Sequence, residues 1–346
     1  MKEHITLPYV IHIIGTNGKG STGRFISSFL HQQNKNVLHY SSPHIIKFNE
    51  RIWINGNNSS DTQLDEAHKK LQEILSKELI NQLTYFEYTT LTALYLSSNM
   101  DYLVLEAGLG GEFDATNVVT NNLSVITTID IDHQEFLGNT IEKIATTKMR
   151  SCDNAFILSS QINNQVVEVK NKILQDKEEI FLKEYLLSDE GKLLPTYLQR
   201  NLQVALTVLE YLKVDCKSYK LPKLFGRFEY IQENIIVDVG HNPLAAKAIY
   251  TELKREDKKV TLIYNSYKDK DYMEVLTILK PIIKEIQIID CDDIRMVNKN
   301  DLESVIDSLG LNIKKFDIMN INSQDYYLVF GSFLVVENFL KDYKDI

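Results

Sequence analysis

A glycine-rich segment near the start of the chain, VIHIIGTNGKGST over residues 10–22, most constrains what this sequence can fold into. It predicts a β-strand, a glycine turn and the first turn of a helix, which is the layout of a phosphate-binding loop. Its spacing is unusual, because only two residues separate Gly15 from Gly18 and a third glycine stands between Lys19 and Ser21. The standard pattern has four residues between its glycines and places the lysine directly before Ser or Thr. The segment is therefore a true phosphate loop, a turn that only looks like one, or a variant typical of a particular class of enzyme.

The chemistry of the segment favours phosphate binding over a flexible turn with a chance lysine. A helix N-terminus carries unpaired backbone N–H groups and partial positive charge, which together attract an anion. Glycines such as Gly18 and Gly20 let those N–H groups close around a phosphate. Lys19 adds a point charge, and the hydroxyl pair Ser21 and Thr22 offers a ligand to Mg²⁺.

Apolar strand-like runs alternate with helical patterns, which predicts an open α/β sheet covered by helices. The near-continuous apolar runs suit a buried, mostly parallel sheet, and they are YVIHII at 9–14, NVLHYSS at 36–42, DYLVLEAGL at 101–109, LSVITTI at 123–129 and DNAFILSS at 153–160. Ligands of such sheets bind beyond the carboxyl ends of the strands. A first helix should bury one face made of Phe25, Ile26, Phe29 and Leu30, and Asp61 should cap a later, polar-faced helix.

The alternation restarts after Pro222, where NIIVDVG, KVTLIYN, EIQIID and DYYLVFGS read as strands with helical patterns between them. We therefore expect two domains, 1–222 with the phosphate loop and 223–346 as a smaller, Rossmann-like α/β domain. In the second domain Pro243 suits a first helical turn.

Composition excludes some classes of function. The net charge of −9 argues against general nucleic-acid binding, which needs a basic surface. The three cysteines, Cys152, Cys216 and Cys291, lie far apart without zinc-site spacing, which is typical of a reducing cytosol and a cytoplasmic protein. The first ten residues lack a long apolar stretch, and no run of about 18 apolar residues occurs, so we expect neither a signal peptide nor a membrane partner.

Titratable groups at predicted strand ends are candidates for a metal site. Glu106 ends the run YLVLE, and His133 follows another strand in TTIDIDHQ. A carboxylate beside a triphosphate suits Mg²⁺, and a neutral imidazole can join such a site as a softer ligand. Asp130 and Asp132 compete for the same role, and an ordinary strand-end salt bridge remains the alternative for Glu106.

Together these stretches resemble the folylpolyglutamate synthase / dihydrofolate synthase family, within the Mur ligase superfamily of ATP-dependent amide-forming enzymes. The motifs that carry the resemblance span nearly the whole chain and are GTNGKGS at 15–21, SPHIIKFNERIWING at 42–56, TYFEYTTLTAL at 84–94, LEAGLGGEFDATNVV at 105–119, TTIDIDHQEFLGNTIEKIA at 127–145, GRFEY at 226–230 and DVGHNP at 238–243. The resemblance implies a monomeric ligase that phosphorylates the carboxylate of dihydropteroate or a reduced folate with ATP. L-Glutamate would then attack the acyl phosphate, and one protein is expected to serve both acceptors.

The resemblance also implies roles for individual residues. ATP contacts would come from Asn17, Gly18, Lys19, Gly20, Ser21, Thr22, Asn201, Arg227, Asp238 and His241. One or two Mg²⁺ ions would be held by Ser21, Ser42, Glu106 and His133. The catalytic groups would be Lys19, His133 and Lys148, the last at the position where the family has a lysine carbamylated by CO₂. The pterin-side residues would be Phe86, Glu87, Asp114 and Ala115.

The sequence departs from the family pattern around two of these residues. The segment TTKMRS surrounds Lys148 where the family has EKAG, and Glu112 stands where the family has an arginine. Two alternatives stay open: a Mur-type ligase for another carboxylate acceptor, and a phosphate-loop ATPase that needs neither Lys148 nor DVGHNP.

Overall fold

The computed structural model describes residues 5–215 and 218–344, so Cys216 and the first four residues of the N-terminal stretch lie outside the described residues. The chain divides into two compact units, Met1–Pro222 and Lys223–Ile346. Each unit has its own sheet, and each is mixed α/β.

The first unit is built on a sheet with the strand order β4-β3-β2-β5-β1-β6-β7-β8. Its strands are β1 Tyr9–Ile14, β2 Val37–Tyr40, β3 Ile52–Ile54, β4 Asn57–Asn58, β5 Tyr102–Glu106, β6 Leu123–Ile126, β7 Ala155–Leu158 and β8 Glu178–Glu179. All neighbours are parallel except the β2–β3–β4 meander. The carboxyl ends of β2, β5, β1 and β6 therefore form one continuous edge.

Helices cover this sheet and join its parallel strands. They are α1 Lys19–Gln32, α2 Asp61–Ile74, α3 Lys77–Gln82, α4 Tyr85–Leu96, α5 Gln134–Leu137, α6 Ile141–Met149, α7 Asn164–Ile173, α8 Asp189–Leu193 and α9 Thr196–Tyr211. The predicted apolar face of α1 is confirmed, because Phe25, Ile26, Phe29 and Leu30 are all buried.

The predicted cap of α2 was wrong by one residue. Ser60, not Asp61, is the N-cap, and its hydroxyl accepts the Gln63 backbone N–H at 3.1 Å. The Gln63 side chain accepts the Ser60 N–H at 2.9 Å in return. A reciprocal capping box of this kind satisfies two orphan donors, which a cap at Asp61 would not do.

The second unit has the strand order β13-β12-β11-β14-β10-β9, parallel except for the edge strand β9. Its elements are β9 Glu229–Gln232, β10 Ile235–Val237, α10 Pro243–Arg255, β11 Val260–Tyr264, α11 Tyr272–Leu279, β12 Ile283–Ile288, α12 Lys299–Ser308, β13 Ile313–Lys315, β14 Tyr326–Phe330 and α13 Phe333–Lys344. Pro243 does occupy the first turn of α10. The strand–helix alternation did not predict α12 and β13, because that stretch is mostly polar.

The two mostly parallel, helix-covered sheets confirm the predicted fold class. Among the described residues, no helix is both long enough and apolar enough to cross a membrane.

Candidate active site

The backbone of the glycine loop requires glycine at its first two glycine positions. Gly15 has φ +148°, and a Cβ there would lie 1.9 Å from the Thr127 hydroxyl. Gly18 has φ +92°, and its Cβ would lie 2.9 Å from the Asn201 side-chain oxygen. Side chains are strained at such angles and have no room here. The loop is therefore a tightly packed turn and not a flexible connection.

Hydrogen bonds join the loop to the segment that follows β6. The backbone N–H groups of Thr16 and Asn17 both donate to the Thr128 carbonyl, at 2.9 and 3.2 Å. The Thr16 hydroxyl donates to the Asp130 carbonyl at 2.9 Å. These bonds place the chain that leads to His133 directly beside the loop. Sequence reasoning missed Thr16, although a hydroxyl between two loop glycines was a visible signal.

Two lysines converge on one carbonyl of the loop. The Lys19 Nζ donates to the carbonyls of Gly15 and Thr16, both at 3.3 Å. Lys148, from α6, donates to the same Gly15 carbonyl at 2.9 Å and is only 4% exposed. Burial lowers the pKa of Lys148 to about 7, and the positive charge of Lys19 lowers it further while Asp132 and Asp114 oppose the shift.

Asn201 is a residue of α9, and its side chain packs against the glycine loop. Its Nδ2 donates to the Ser21 hydroxyl at 2.8 Å, and the Ser21 hydroxyl donates to the Gly18 carbonyl at 3.2 Å. Both side chains are buried. Asn201 thus orients Ser21 and fills the space beside Gly18, which gives it a positioning role in this structure.

Besides Ser21, the three other side chains predicted to bind metal follow or end strands at the carboxyl-end edge of the first sheet. Glu106 is the last residue of β5, is 5% exposed and is in register with Ile13 of β1. Ser42 follows β2 and precedes a cis peptide bond to Pro43. His133 has φ +51° and is the N-cap of α5.

The Ser21 and Ser42 hydroxyls and the Glu106 carboxylate are hard oxygen ligands, which suit Mg²⁺. Within residues 5–215 and 218–344, no group of three or more His, Cys, Asp and Glu side chains could hold a metal. An ion here would therefore need serine and phosphate oxygens as well as Glu106.

Of the predicted pterin-side residues, Phe86 is half-buried and packs against the loop after β5. A Cβ on Gly108 would lie 2.6 Å from its ring, and the ring stacks on Tyr40 with centroids 5.9 Å apart. Glu87 instead closes the start of α4, because its carboxylate accepts the Thr84 N–H at 2.7 Å and the Thr84 hydroxyl at 2.8 Å. These bonds lower the pKa of Glu87.

Asp114 shapes the loop that contains it. Its carboxylate accepts the Leu109 N–H at 2.7 Å and the Thr116 hydroxyl at 2.6 Å, and Ala115 begins the short 3₁₀ turn that follows. Thr116 also contacts His12 Nε2 at 2.9 Å, and burial lowers the pKa of His12 to about 4. Sequence reasoning missed His12, which lies inside a strand where an apolar residue is expected.

The two departures from the family pattern contact each other. Arg150 Nη1 lies 3.3 Å from the Glu112 carboxylate, and the Glu112 N–H donates to the Thr147 carbonyl at 2.8 Å. A pair this exposed contributes little to stability.

In the second unit, Asp238 is a buried strand-end carboxylate. It accepts the backbone N–H groups of Phe228 at 2.8 Å and Gly240 at 2.7 Å. Arg227 lies over the Phe333 ring, with Cζ 5.1 Å from the centroid, and His241 Nδ1 lies 3.1 Å from the Val239 carbonyl. Sequence reasoning did not single out the other buried polar residues at this edge, Asn265, Ser266 and Ser332.

The parallel sheet, the tight glycine loop and the buried lysine against it are the arrangement expected of a nucleotide-binding protein of the Mur ligase type. A family model described as "Mur ligase middle domain" matches residues 13–155. A dihydrofolate synthase/folylpolyglutamate synthase from Haemophilus influenzae is 34% identical over 395 aligned residues, covering 96% of this chain and 88% of the relative. The chain belongs to the dihydrofolate synthase/folylpolyglutamate synthase family.

Solved structures show the same similarity. The Helicobacter pylori folylpolyglutamate synthetase is 39% identical with a TM-score of 0.77, and the match covers 99% of this chain and 90% of that one. A bifunctional folylpolyglutamate synthase/dihydrofolate synthase with Mn, AMPPNP and L-glutamate bound is 25% identical with a TM-score of 0.86, and the match covers 99% and 91%.

Proposed function

We propose that this protein is an ATP-dependent ligase that adds L-glutamate to dihydropteroate and to reduced folates through an acyl phosphate. The γ-phosphate of ATP passes to the acceptor carboxylate, and the glutamate amine then displaces phosphate to form the amide. Activation is needed because an amine and a carboxylate form only an unreactive salt at neutral pH. The observation that carries the proposal is the buried amine of Lys148, 2.9 Å from the carbonyl of Gly15 in the phosphate loop, in a chain of this family.

The nucleotide would lie on the loop Asn17–Thr22, with Lys19 turned from its own loop carbonyls toward the outer phosphates. Mg²⁺ would be held by Ser21, Ser42 and Glu106, and a second ion by His133. The solved relative that binds Mn, AMPPNP and L-glutamate supports these cofactors and this amino acid.

Lys148 is suited to carbamylation. A neutral amine adds to CO₂ and releases one proton, which leaves a carbamate anion in place of an ammonium ion. An ordinary lysine is almost wholly protonated at neutral pH, whereas burial lowers the pKa of Lys148 to about 7. The carbamate would relieve the repulsion with Lys19 and add an oxygen ligand near the metal.

The two units would have different roles, with 1–222 as the ATP-binding central domain and 223–346 as the glutamate-ligase domain. Arg227, Asp238 and His241 would contact the nucleotide, and the Asp238 carboxylate also accepts the backbone N–H groups of Phe228 and Gly240, which adjoin Arg227 and His241. The protein would act as a cytoplasmic monomer.

The test is ADP release with L-glutamate and either dihydropteroate or tetrahydrofolate as acceptor. Release should require both the acceptor and glutamate, and Lys19→Ala should abolish it while the circular dichroism spectrum stays unchanged. Lys70→Gln, which removes an exposed lysine paired with Glu73, is the charge-matched control. ADP release that no acceptor stimulates would indicate an ATPase instead, and stimulation only by a cell-wall nucleotide would indicate a Mur-type ligase.

A further inference from the structure

The loop between β2 and β3 is organised around the carboxylate of Glu50. This carboxylate accepts three backbone N–H groups, from Ile45 at 2.8 Å, Ile46 at 2.9 Å and Lys47 at 2.8 Å. A carboxylate held by three donors fixes the loop without its neighbouring arginine. Arg51, the next residue, is therefore left for another role.

Arg51 is half-buried and held in one orientation. Its Nε donates to His44 Nδ1 at 2.9 Å, and its Cζ lies 5.4 Å from the Tyr85 ring centroid and 5.9 Å from that of Phe48. Tyr85 is 62% exposed, so this group of side chains opens to solvent. Aromatic rings stabilise a guanidinium while leaving its polar edge accessible.

The polar edge of Arg51 has no acceptor in the part of the chain that the structure describes. Neither terminal nitrogen makes a hydrogen bond there, and no carboxylate pairs with this arginine. Three other arginines differ from it, because Arg150, Arg255 and Arg295 each contact a carboxylate within 3.3 Å. A guanidinium that is oriented, partly desolvated and unpaired is a preformed receptor for a planar anion such as a carboxylate.

The strand order indicates which carboxylate Arg51 can reach. Arg51 directly precedes β3, and β3 is separated from β1 by β2 and β5. Three strand spacings put the backbone of Arg51 about 14 Å from the strand that leads into the phosphate loop. A carboxylate bound at Arg51 would therefore differ from the carboxylate that the proposed reaction phosphorylates at the loop.

We propose that Arg51, flanked by Phe48 and Tyr85, binds a non-reacting carboxylate of a glutamyl acceptor. Tetrahydrofolate has such a group, and dihydropteroate, whose only carboxylate reacts, does not. Arg51 would then set the preference between the two acceptors. This inference rests on the proposed function.

The experiment compares Arg51→Gln, Arg51→Lys and the control Lys70→Gln with the unsubstituted enzyme. KM and kcat are measured for each acceptor at saturating ATP and L-glutamate. Arg51→Gln should raise the KM for tetrahydrofolate about tenfold or more, because it removes a charge-assisted pair. The KM for dihydropteroate and both kcat values should change less than about twofold. Arg51→Lys keeps the positive charge but loses the paired N–H groups with which a guanidinium binds both oxygens of a carboxylate. Its KM for tetrahydrofolate should therefore be intermediate.

Equal rises in KM for both acceptors would overturn the inference, because Arg51 would then act on a shared group or on the fold. An unchanged KM for tetrahydrofolate would overturn it while the proposed function stood. An unsubstituted enzyme that uses dihydropteroate alone would overturn it too and would restrict the proposed function to that acceptor. An unsubstituted enzyme that uses neither acceptor would refute the proposed function itself.

Discussion

Glu106 in the first unit and Asp238 in the second occupy the same kind of position, at or just past the carboxyl end of a buried parallel strand. Their surroundings differ. Asp238 accepts two backbone N–H groups and so holds the turn before α10. Glu106 stands beside the glycine loop and interacts electrostatically with Arg24, whose pKa burial lowers to about 10 while Glu106 opposes the shift.

The comparison separates a structural carboxylate from one in a charged site. At the edge of the first sheet, Lys19 and Lys148 donate to one loop carbonyl, and Glu106 ends the neighbouring strand and interacts with Arg24. At the edge of the second sheet, the Asp238 carboxylate accepts two backbone N–H groups of its own unit. We infer that charge-dependent chemistry belongs to the first edge, and each prediction below tests that difference.

The largest effect is expected at Lys148. Lys148→Met should lower kcat by roughly 10³-fold, the scale of losing one preorganised electrostatic group at a reacting centre. Steady-state ADP release measures this loss. If the active form is a carbamate, Lys148→Ala should regain part of its activity with added short carboxylic acids, which can place an anion in the vacated space. A near-normal kcat for the Lys148→Met enzyme would show that catalysis does not depend on the charged groups at the edge of the first sheet.

The two strand-end carboxylates should respond in opposite ways. Asp238→Ala should destabilise the second unit by about 2–4 kcal/mol, because two buried N–H groups lose a charged acceptor. Glu106→Gln should change stability far less but raise the Mg²⁺ concentration for half-maximal activity at least tenfold. Urea unfolding and Mg²⁺ titration measure the two effects. If both variants lost mainly stability, the distinction between the two carboxylates would fail.

A smaller effect is expected in the pH dependence of stability. The pKa of Lys148 is about 7 in the folded protein and near 10.5 when unfolded, so the unfolded chain binds more protons between these values. The contribution of Lys148 should therefore raise the stability of the unmodified protein with increasing pH, by up to about 1.4 kcal/mol per pH unit. Urea unfolding in CO₂-free buffer from pH 7.5 to 9.5 measures the slope. The Lys148→Met protein should lack the contribution of Lys148 to this slope. Identical slopes in the two proteins would contradict the lowered pKa of Lys148.

The smallest effect is expected for the exposed pair Glu112 and Arg150. A double-mutant cycle with Glu112→Ala and Arg150→Ala should give a coupling of about 0.2–1 kcal/mol, as for other surface ion pairs. Unfolding free energies of the four proteins measure it. A coupling well above 1 kcal/mol would mean that this pair belongs with the buried charges of the first edge.

Local sequence predicted the elements because their signals are local. The run of apolar residues before Gly15, the glycines themselves and the periodic apolar face of α1 each lie within a few residues, so strand, turn and helix follow from periodicity and backbone sterics. The family motifs then selected the side chains of the candidate site, although their roles remain predictions. The cap of α2 was misplaced by one residue, because Ser60 and Asp61 are both good caps in sequence and only the reciprocal bond with Gln63 distinguishes them.

Tertiary structure decided which of these residues meet. Lys148 reaches the carbonyl of a residue 133 positions away, and Asn201 orients a hydroxyl 180 positions away. Strand order and helix packing determine such contacts, and periodicity carries no information about either. The same holds for Asp238, which a motif selects and whose carboxylate the fold places against two backbone N–H groups. It holds also for Arg51, which pairs with no carboxylate among the described residues. The sequence by itself thus determined a strand, a glycine turn and a helix in an α/β protein and predicted phosphate binding there, and the fold determined which charges lie around that turn.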